Sequence, residues 1–426
     1  MAIALHRGLA PVRAVLDNGA VVVAKQSHAT PAVTINAAFA AGSVFDPLHR
    51  PGLAHFVSRT IDRGTVGRSA ETIAEELDQR GVSLSTNINR HVLSIVCTCL
   101  VDDFEAILAL VADIAMRPVF PQDEITTRRN EVITLIRQDD DNPAVAAVEG
   151  LLTDLYGPSH GYGRRPRGTV ESVEAADRAA LQGFHAARFA PSAMSLVMVG
   201  DIESSRAIEA ARASFSQWHT AVPSPPDLEG VTRASSRRVR VLPMMNKAQA
   251  DVAYGFTSIR RDDPDYYAYW LMNNILGQYS IGGRLGDRIR EREGMAYYVF
   301  SSLDANIIPG PLTIRAGVSP ANVDRAIDAI DHELARFATD GPTDTEMVES
   351  KQYLIGSMPR TLETSAGIAA FLQTEEFFGL GLDYDVRMPD LLMAVTREAV
   401  HEAARRALVP ASATVVIAGP YTGAPG

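Results

Sequence analysis

The run PGLAHFVSRTIDRGT, from Pro51 to Thr65, sets a histidine in an apolar helical pattern that closes on a basic residue, a glycine and a threonine. Side chains at i and i+4 of a helix share a face, so two histidines at that spacing can grip one metal ion. A carboxylate beside the second histidine can then take a proton from metal-bound water. The pattern H-x-x-E-H carries this chemistry. Here its positions hold His55, Ser58 and Arg59. A serine hydroxyl is no base at neutral pH, and a guanidinium has no lone pair to give. Catalytic zinc needs three protein ligands and an open position. His55 beside a permanent cation does not meet that need, so no metal is expected in this chain.

Other chemistry-bearing residues read as structural. Cys97 and Cys99 alternate in LSIVCTCLV, so they point to one face of a strand and read as small buried hydrophobes. A zinc pair wants other spacing and further ligands. His160 and His185 have no partner at ligand spacing. Gly282 and Gly283, in GQYSIGGRLGDRIRE, lack the P-loop lysine and the dinucleotide fingerprint, and read as a loop entering a helix.

The elements that position these residues repeat. RFAPSAMSLVMVGDI and RALVPASATVVIAGPY both read as a proline loop, a buried strand and a glycine, and Pro191 and Pro410 are 219 residues apart. FDP and DDP each follow a strand-like run, with Asp46 and Asp263 217 residues apart. QRGVSLSTNI and REGMAYYVFS each put a helix, a glycine and a strand in order. Strands are expected in AVVVAKQS and AVTINAAFAAGS. Helices are expected over Asp103 to Pro118 and Val323 to Pro342, both ended by proline. The stretch HTAVPSPPDLEGVTRASS is rich in proline and serine and reads as a linker. The expected division is an N-terminal domain over 1–218, a linker over 219–236 and a C-terminal domain over 237–426. Each half mixes strands and helices, so the fold class is α+β, two homologous α/β layer-sandwich domains in tandem.

The totals exclude several classes. The chain has 426 residues, 46% apolar and 21% charged, with a formal charge of −11. That is globular, and acidic enough to argue against nucleic acid or an anionic membrane. No segment approaches the ~20 apolar residues that span a bilayer. The first residues, MAIALHRGLAPVRAVLDNG, lack the apolar core of a signal peptide. The expected location is the cytoplasm.

The stretch GLAHFVSRTIDRGT resembles the zinc-site helix of the pitrilysin/insulinase family of metallopeptidases, which includes mitochondrial processing peptidase and its bacterial relatives. The resemblance runs from VLDNGAVVVA to the last strand, takes in the loop GYGRRPRGT, and agrees with the tandem repeat. It implies that the third ligand, a glutamate on a later helix, falls near Leu135 or Ile136, both apolar. Glu131 and Asp139 lie one turn to either side and read as a solvated helix face. It also implies an arginine and, seven residues on, a tyrosine that bind the substrate backbone and stabilise the oxyanion; IREREGMAYYVFSS supplies Arg290 and Tyr297. The strand LSTNINRH would accept peptide by strand addition, with Ser85, Thr86 and Asn87 as the substrate-binding residues. The resemblance therefore implies a metal-free subunit of a heterodimeric zinc peptidase, without activity of its own. Its partner would be a homologous chain carrying zinc, and its substrate a peptide, leader or presequence. The alternative is an inactive scaffold or peptide-binding protein of the same fold.

Overall fold

A computed structural model describes residues 8–221, 228, 230–231, 233–278 and 282–423. Its core lies in two compact units, each built on one sheet.

The first unit comprises the described residues of Met1–Ile136, Arg165–Pro226 and Met358–Val386. Its strands are β1 (Val12–Val15), β2 (Val21–Gln26), β3 (Ala32–Phe39), β4 (Ser83–Ile88), β5 (Leu93–Leu100) and β6 (Met194–Gly200). They lie in the order β1-β2-β6-β3-β5-β4, with β2 and β6 parallel and the other neighbours antiparallel. β3 and β6 are buried almost throughout, as central strands covered on both faces must be. β4 alternates between exposed and half-buried residues, as suits an edge. Cys97 and Cys99 sit inward on β5, buried and reduced. Burial pushes both thiols up to about 12, so they behave as the small hydrophobes expected.

The second unit comprises the described residues of Arg137–Arg164, Asp227–Ser357 and Arg387–Gly426. Its strands are β7 (Arg238–Pro243), β8 (Ala250–Thr257), β9 (Ala296–Leu303), β10 (Pro311–Val318) and β11 (Thr414–Gly419). The order β7-β11-β8-β10-β9 repeats that of the first sheet without β1, and β7 and β11 are again the parallel pair. The proline loops at 191 and 410 both lead into the inserted central strand, β6 or β11. The tandem repeat is therefore a repeat of topology, with β4 and β9 as matching edges.

The compact units are not the contiguous halves 1–218 and 237–426 expected from the repeat. The helix Pro143–Tyr156 belongs to the second unit and covers β8 and β11, where Gly150 comes so close that an added Cβ would lie 2.7 Å from Arg240 and 3.0 Å from Val416. The helix Ser365–Phe378 belongs to the first unit, where Ile368, Ala369 and Leu372 bury Val23, Val197 and Val199. Each sheet thus gains an apolar cover from the other half of the sequence, which a boundary read from linker composition cannot show. Much of the expected linker over 219–236 lies outside the described residues. Among the described residues no helix is long and apolar enough to cross a membrane.

The threonine that closes the opening motif has a structural task. Thr65 Oγ1 donates to Asp113 at 2.6 Å, Arg68 Nη1 donates to the same carboxylate at 2.8 Å, and Arg117 Nε donates to it at 2.8 Å. Asp113 is buried. Burial opposes its charge, but the bonds from Thr65 and Arg68 and the charges of Arg117 and Arg68 outweigh it and hold the carboxyl below its ordinary value. A depressed carboxyl contributes stability that is present above its unfolded value and is lost as pH falls through the folded one. Asp113→Asn is therefore expected to cost about 2–3 kcal/mol at neutral pH. The gap from the wild type should narrow as pH drops below about 4, as read by urea unfolding.

Candidate functional site

The helix Leu53–Thr60 is held at its start rather than by its own propensity. The buried Asp46 carboxylate accepts from the backbone amides of Gly52 and Ala54, both at 2.7 Å. Those are donors that a helix N-terminus leaves without partners. Gly52 adopts φ of +85° directly before the helix, and an added Cβ there would lie 2.4 Å from the Arg167 carbonyl. The loop GYGRRPRGT thus ends packed against the entry to the helix, with Ser172 Oγ donating to the Pro51 carbonyl at 2.8 Å. The helix buries Leu53, Ala54, Phe56, Val57, Ser58 and Thr60, leaving His55 and Arg59 half-buried.

Ser58 is 1% exposed, and its hydroxyl donates back to the His55 carbonyl at 2.7 Å. Thr86, on β4, donates to the Ser58 carbonyl at 2.6 Å. The position of the general base is therefore a packing contact between helix and edge strand. Arg59 turns to the helix Gln122–Asp140, where its Nη2 lies 3.5 Å from Glu131 Oε2. Arg128 Nη1 holds the other carboxylate oxygen at 2.5 Å. Burial opposes the Glu131 charge, but Arg128 and then Arg59 prevail and keep its carboxyl below the ordinary range. Glu131 keeps the partly solvated helix face expected from the sequence, 39% exposed, but is paired there with two arginines. Arg59, a turn beyond His55, reaches the one acid that could have served as a displaced third ligand. Asp139 falls in the second unit, and Ile136 is buried core.

Nearby, Asp62 pairs with Arg63 at 3.2 Å, and burial raises its carboxyl despite the charges of Arg63, Arg59 and Arg128. Glu124 accepts from Arg128 Nε at 3.3 Å, so three guanidiniums and three carboxylates fill this region. The residues do not fit a zinc ion. One histidine is available, the second ligand position is a cation, and the remaining carboxylate is bound by two arginines. Among the described residues no three His, Cys, Asp or Glu side chains are grouped to hold a metal.

The expected peptide strand is the sheet edge. Ser85, Thr86 and Asn87 pair with Val96, Ile95 and Ser94 of β5, and among the described residues β4 has no strand on its other side. Ser85 and Asn87 are exposed, whereas Thr86 is half-buried and committed to Ser58.

Arg290 and Tyr297 lie in the second unit on adjoining irregular elements. Arg290 sits in a π-helical stretch, Gly286–Arg292, anchored by buried Ile289. Its side chain is about one-third exposed, with Nε 3.7 Å from Glu291. Gly282 caps the short helical turn Gly283–Leu285 that precedes it, as expected of a loop entering a helix. The chain turns at Gly294, φ +62°, into the edge strand β9. There the register slips: Tyr298 faces Gly317, Ala296 faces Val318, and Tyr297 is the extra residue between them. Such a bulge re-aims a side chain, and Tyr297 is 65% exposed.

The neighbouring Tyr298 does the opposite. Its hydroxyl donates to the buried Asp251 across Gly317, where an added Cβ would lie 2.5 Å from the Tyr298 ring. Burial raises the Asp251 carboxyl despite the bonds from Tyr298 and Gln249. This anchor was not read from the sequence. Its signal was the YY doublet, which at a strand edge puts one ring inward and one outward.

Two tandem sheets of this order, with a helix that keeps the frame of H-x-x-E-H and an ion pair in place of its chemistry, define a zinc-peptidase fold without its metal site. A model of the Insulinase (Peptidase family M16) domain matches residues 21–160, and one of the Peptidase M16 inactive domain matches residues 175–354. The chain belongs to this pitrilysin/insulinase family, as a member without the zinc motif. It is 28% identical over 413 residues to an uncharacterized zinc protease of Mycobacterium leprae, covering 96% of this chain and 92% of that one. An uncharacterized zinc protease of Bacillus subtilis is 24% identical over 349 residues, or 82% of this chain and 84% of that one. Among solved structures, a peptidase M16 inactive domain from Pseudomonas fluorescens superposes with a TM-score of 0.90 at 26% identity, covering 98% and 99% of the two chains. A protease from Helicobacter pylori shares the fold, with a TM-score of 0.87 at 17% identity over 96% and 99%.

Arg59→His combined with Arg128→Ala would place a second imidazole one turn from His55 and release Glu131 from both of its guanidiniums. That variant is expected to take up about one zinc per chain through a His, His, Glu set. The native chain should retain none after dialysis, as measured by elemental analysis.

Proposed function

We propose that this chain is the metal-free subunit of a two-chain zinc peptidase, acting on peptides or leader segments in the cytoplasm. The observation that carries this reading is Tyr297. A tyrosine two-thirds exposed at a bulge, on a strand pinned from behind by Tyr298 and Asp251, has a fixed backbone and an unfilled donor direction. Arg290 stands on the element packed against the same strand.

In this proposal a homologous chain with an intact motif supplies the zinc, which acts as the Lewis acid. Arg290 directs guanidinium donors at the scissile carbonyl oxygen, and Tyr297 donates its phenolic proton in a hydrogen bond as negative charge builds there. The edge strand β4 accepts the peptide backbone, with Ser85 and Asn87 facing outward beside it. The buried, reduced cysteines suit a reducing compartment.

The test combines this chain with a homologous zinc-bearing chain and follows cleavage of a quenched fluorescent peptide. Each chain alone should show little activity, and the mixture strong activity. Arg290→Ala and Tyr297→Phe should each lower kcat of the mixture by about 10²–10³ while leaving unfolding midpoints in place, since both side chains reach solvent. Unchanged rates for both variants would mean that the chain serves as a scaffold or peptide-binding protein.

A further inference from the structure

A cleft of about 330 Å³ opens on the first unit between the segment 45–53 and the helix Arg178–Arg188. Ala179, Gly183 and Ala187, one turn apart on that helix, leave the room for it. Phe45, Leu53 and Phe184 supply apolar walls. The charged lining is of one sign: Arg50 and Arg188 line the cleft, and among the described residues no carboxylate does.

Arg188 is the unusual member. It is only 9% exposed. Among the described residues its guanidinium has neither a hydrogen bond nor an ion pair, and its Cζ lies 4.9 Å from the centre of the Phe45 ring. Burial pulls it below its usual value. Its nitrogens reach the open cleft rather than the sealed interior, so its five N–H donors, without a protein acceptor, are left to what enters. The planar fork matches a carboxylate or a phosphate. The mainly apolar walls favour the singly charged and less hydrated of the two.

We propose that this cleft binds an organic carboxylate with an apolar body, its oxygens on Arg188, Arg50 at the rim, and its hydrocarbon against Phe45, Leu53 and Phe184. A free acid and the C-terminus of a peptide offer the same chemistry. The proposal is independent of Arg290 and Tyr297, which lie in the other unit.

The full chain is titrated calorimetrically with phenylacetate and with its neutral twin phenylacetamide. A tripeptide ending in phenylalanine, as free acid and as amide, forms the second pair. The acid of at least one pair should bind saturably and about tenfold or more tighter than its amide. Tighter binding of the tripeptide acid assigns the site to peptide C-termini; tighter binding of phenylacetate assigns it to free acids. Arg188→Gln should erase the preference for acid over amide. Gly183→Leu should block both ligands by filling the cleft. An added Cβ at Gly183 meets nothing within 4 Å, so this variant should keep the native unfolding midpoint and serves if the arginine variant does not fold. Failure of both acids to saturate, equal titration of acid and amide, or an intact preference in Arg188→Gln would each overturn the proposal.

Discussion

β6 hydrogen-bonds to β2 on one side and to β3 on the other, and β11 does the same between β7 and β8. The last strand of each repeat is thus driven into the middle of a sheet that earlier strands began. That insertion fixes everything else. It makes β3 and β8 central and almost wholly buried, and it carries β4 and β9 out to the edges. An edge strand retains backbone donors and acceptors that no neighbour uses. β4 and β9 are thus matching edges, opposite β1 and β7 in their sheets, and the helix Leu53–Thr60 packs against β4.

The two edges have been put to different ends. Beside β4, the frame that could have held a metal is filled by arginines 59, 63 and 128 with Asp62, Glu124 and Glu131. A guanidinium neutralises a carboxylate as a metal would, but it accepts no lone pair and lowers no water's pKa. The region keeps its charge balance and loses its chemistry. Along β9 no such replacement has occurred. The Tyr298–Asp251 anchor holds the strand, and the bulge turns Tyr297 to solvent.

Much of the fold was legible because it rests on local pattern. The alternation of LSIVCTCLV placed Cys97 and Cys99 inward, and the helical spacing of residues 104–116 and 323–340 gave two helices within a few residues of their ends. The Pro191 and Pro410 loops marked equivalent strands. The exchanged helices were not legible, because Ser365–Phe378 and Pro143–Tyr156 carry apolar faces that do not say which sheet they cover. The Arg59–Glu131 pair was missed for a related reason. Charges on two helices look solvated until the helices are brought side by side. Arg188 escaped notice because an arginine ending a helix is ordinary until a second segment folds over it to form a cleft.

Taken alone, the sequence determined that the zinc chemistry is gone from Ser58 and Arg59, since the identity of a side chain fixes whether it can hold a proton or a metal. It also determined the repeat, since that follows from matched motifs at a nearly constant offset; the edge position of Ser85 was implied by the family resemblance, and that of Tyr297 came from the strand order of the sheet. Tertiary structure alone decided which residue took up the charge that Arg59 brings, which tyrosine of the YY doublet faces solvent, and where a guanidinium is left without an anion. Those outcomes depend on distances between segments far apart in the chain. Electrostatic and packing energies are set by such distances, and one-dimensional spacing does not contain them.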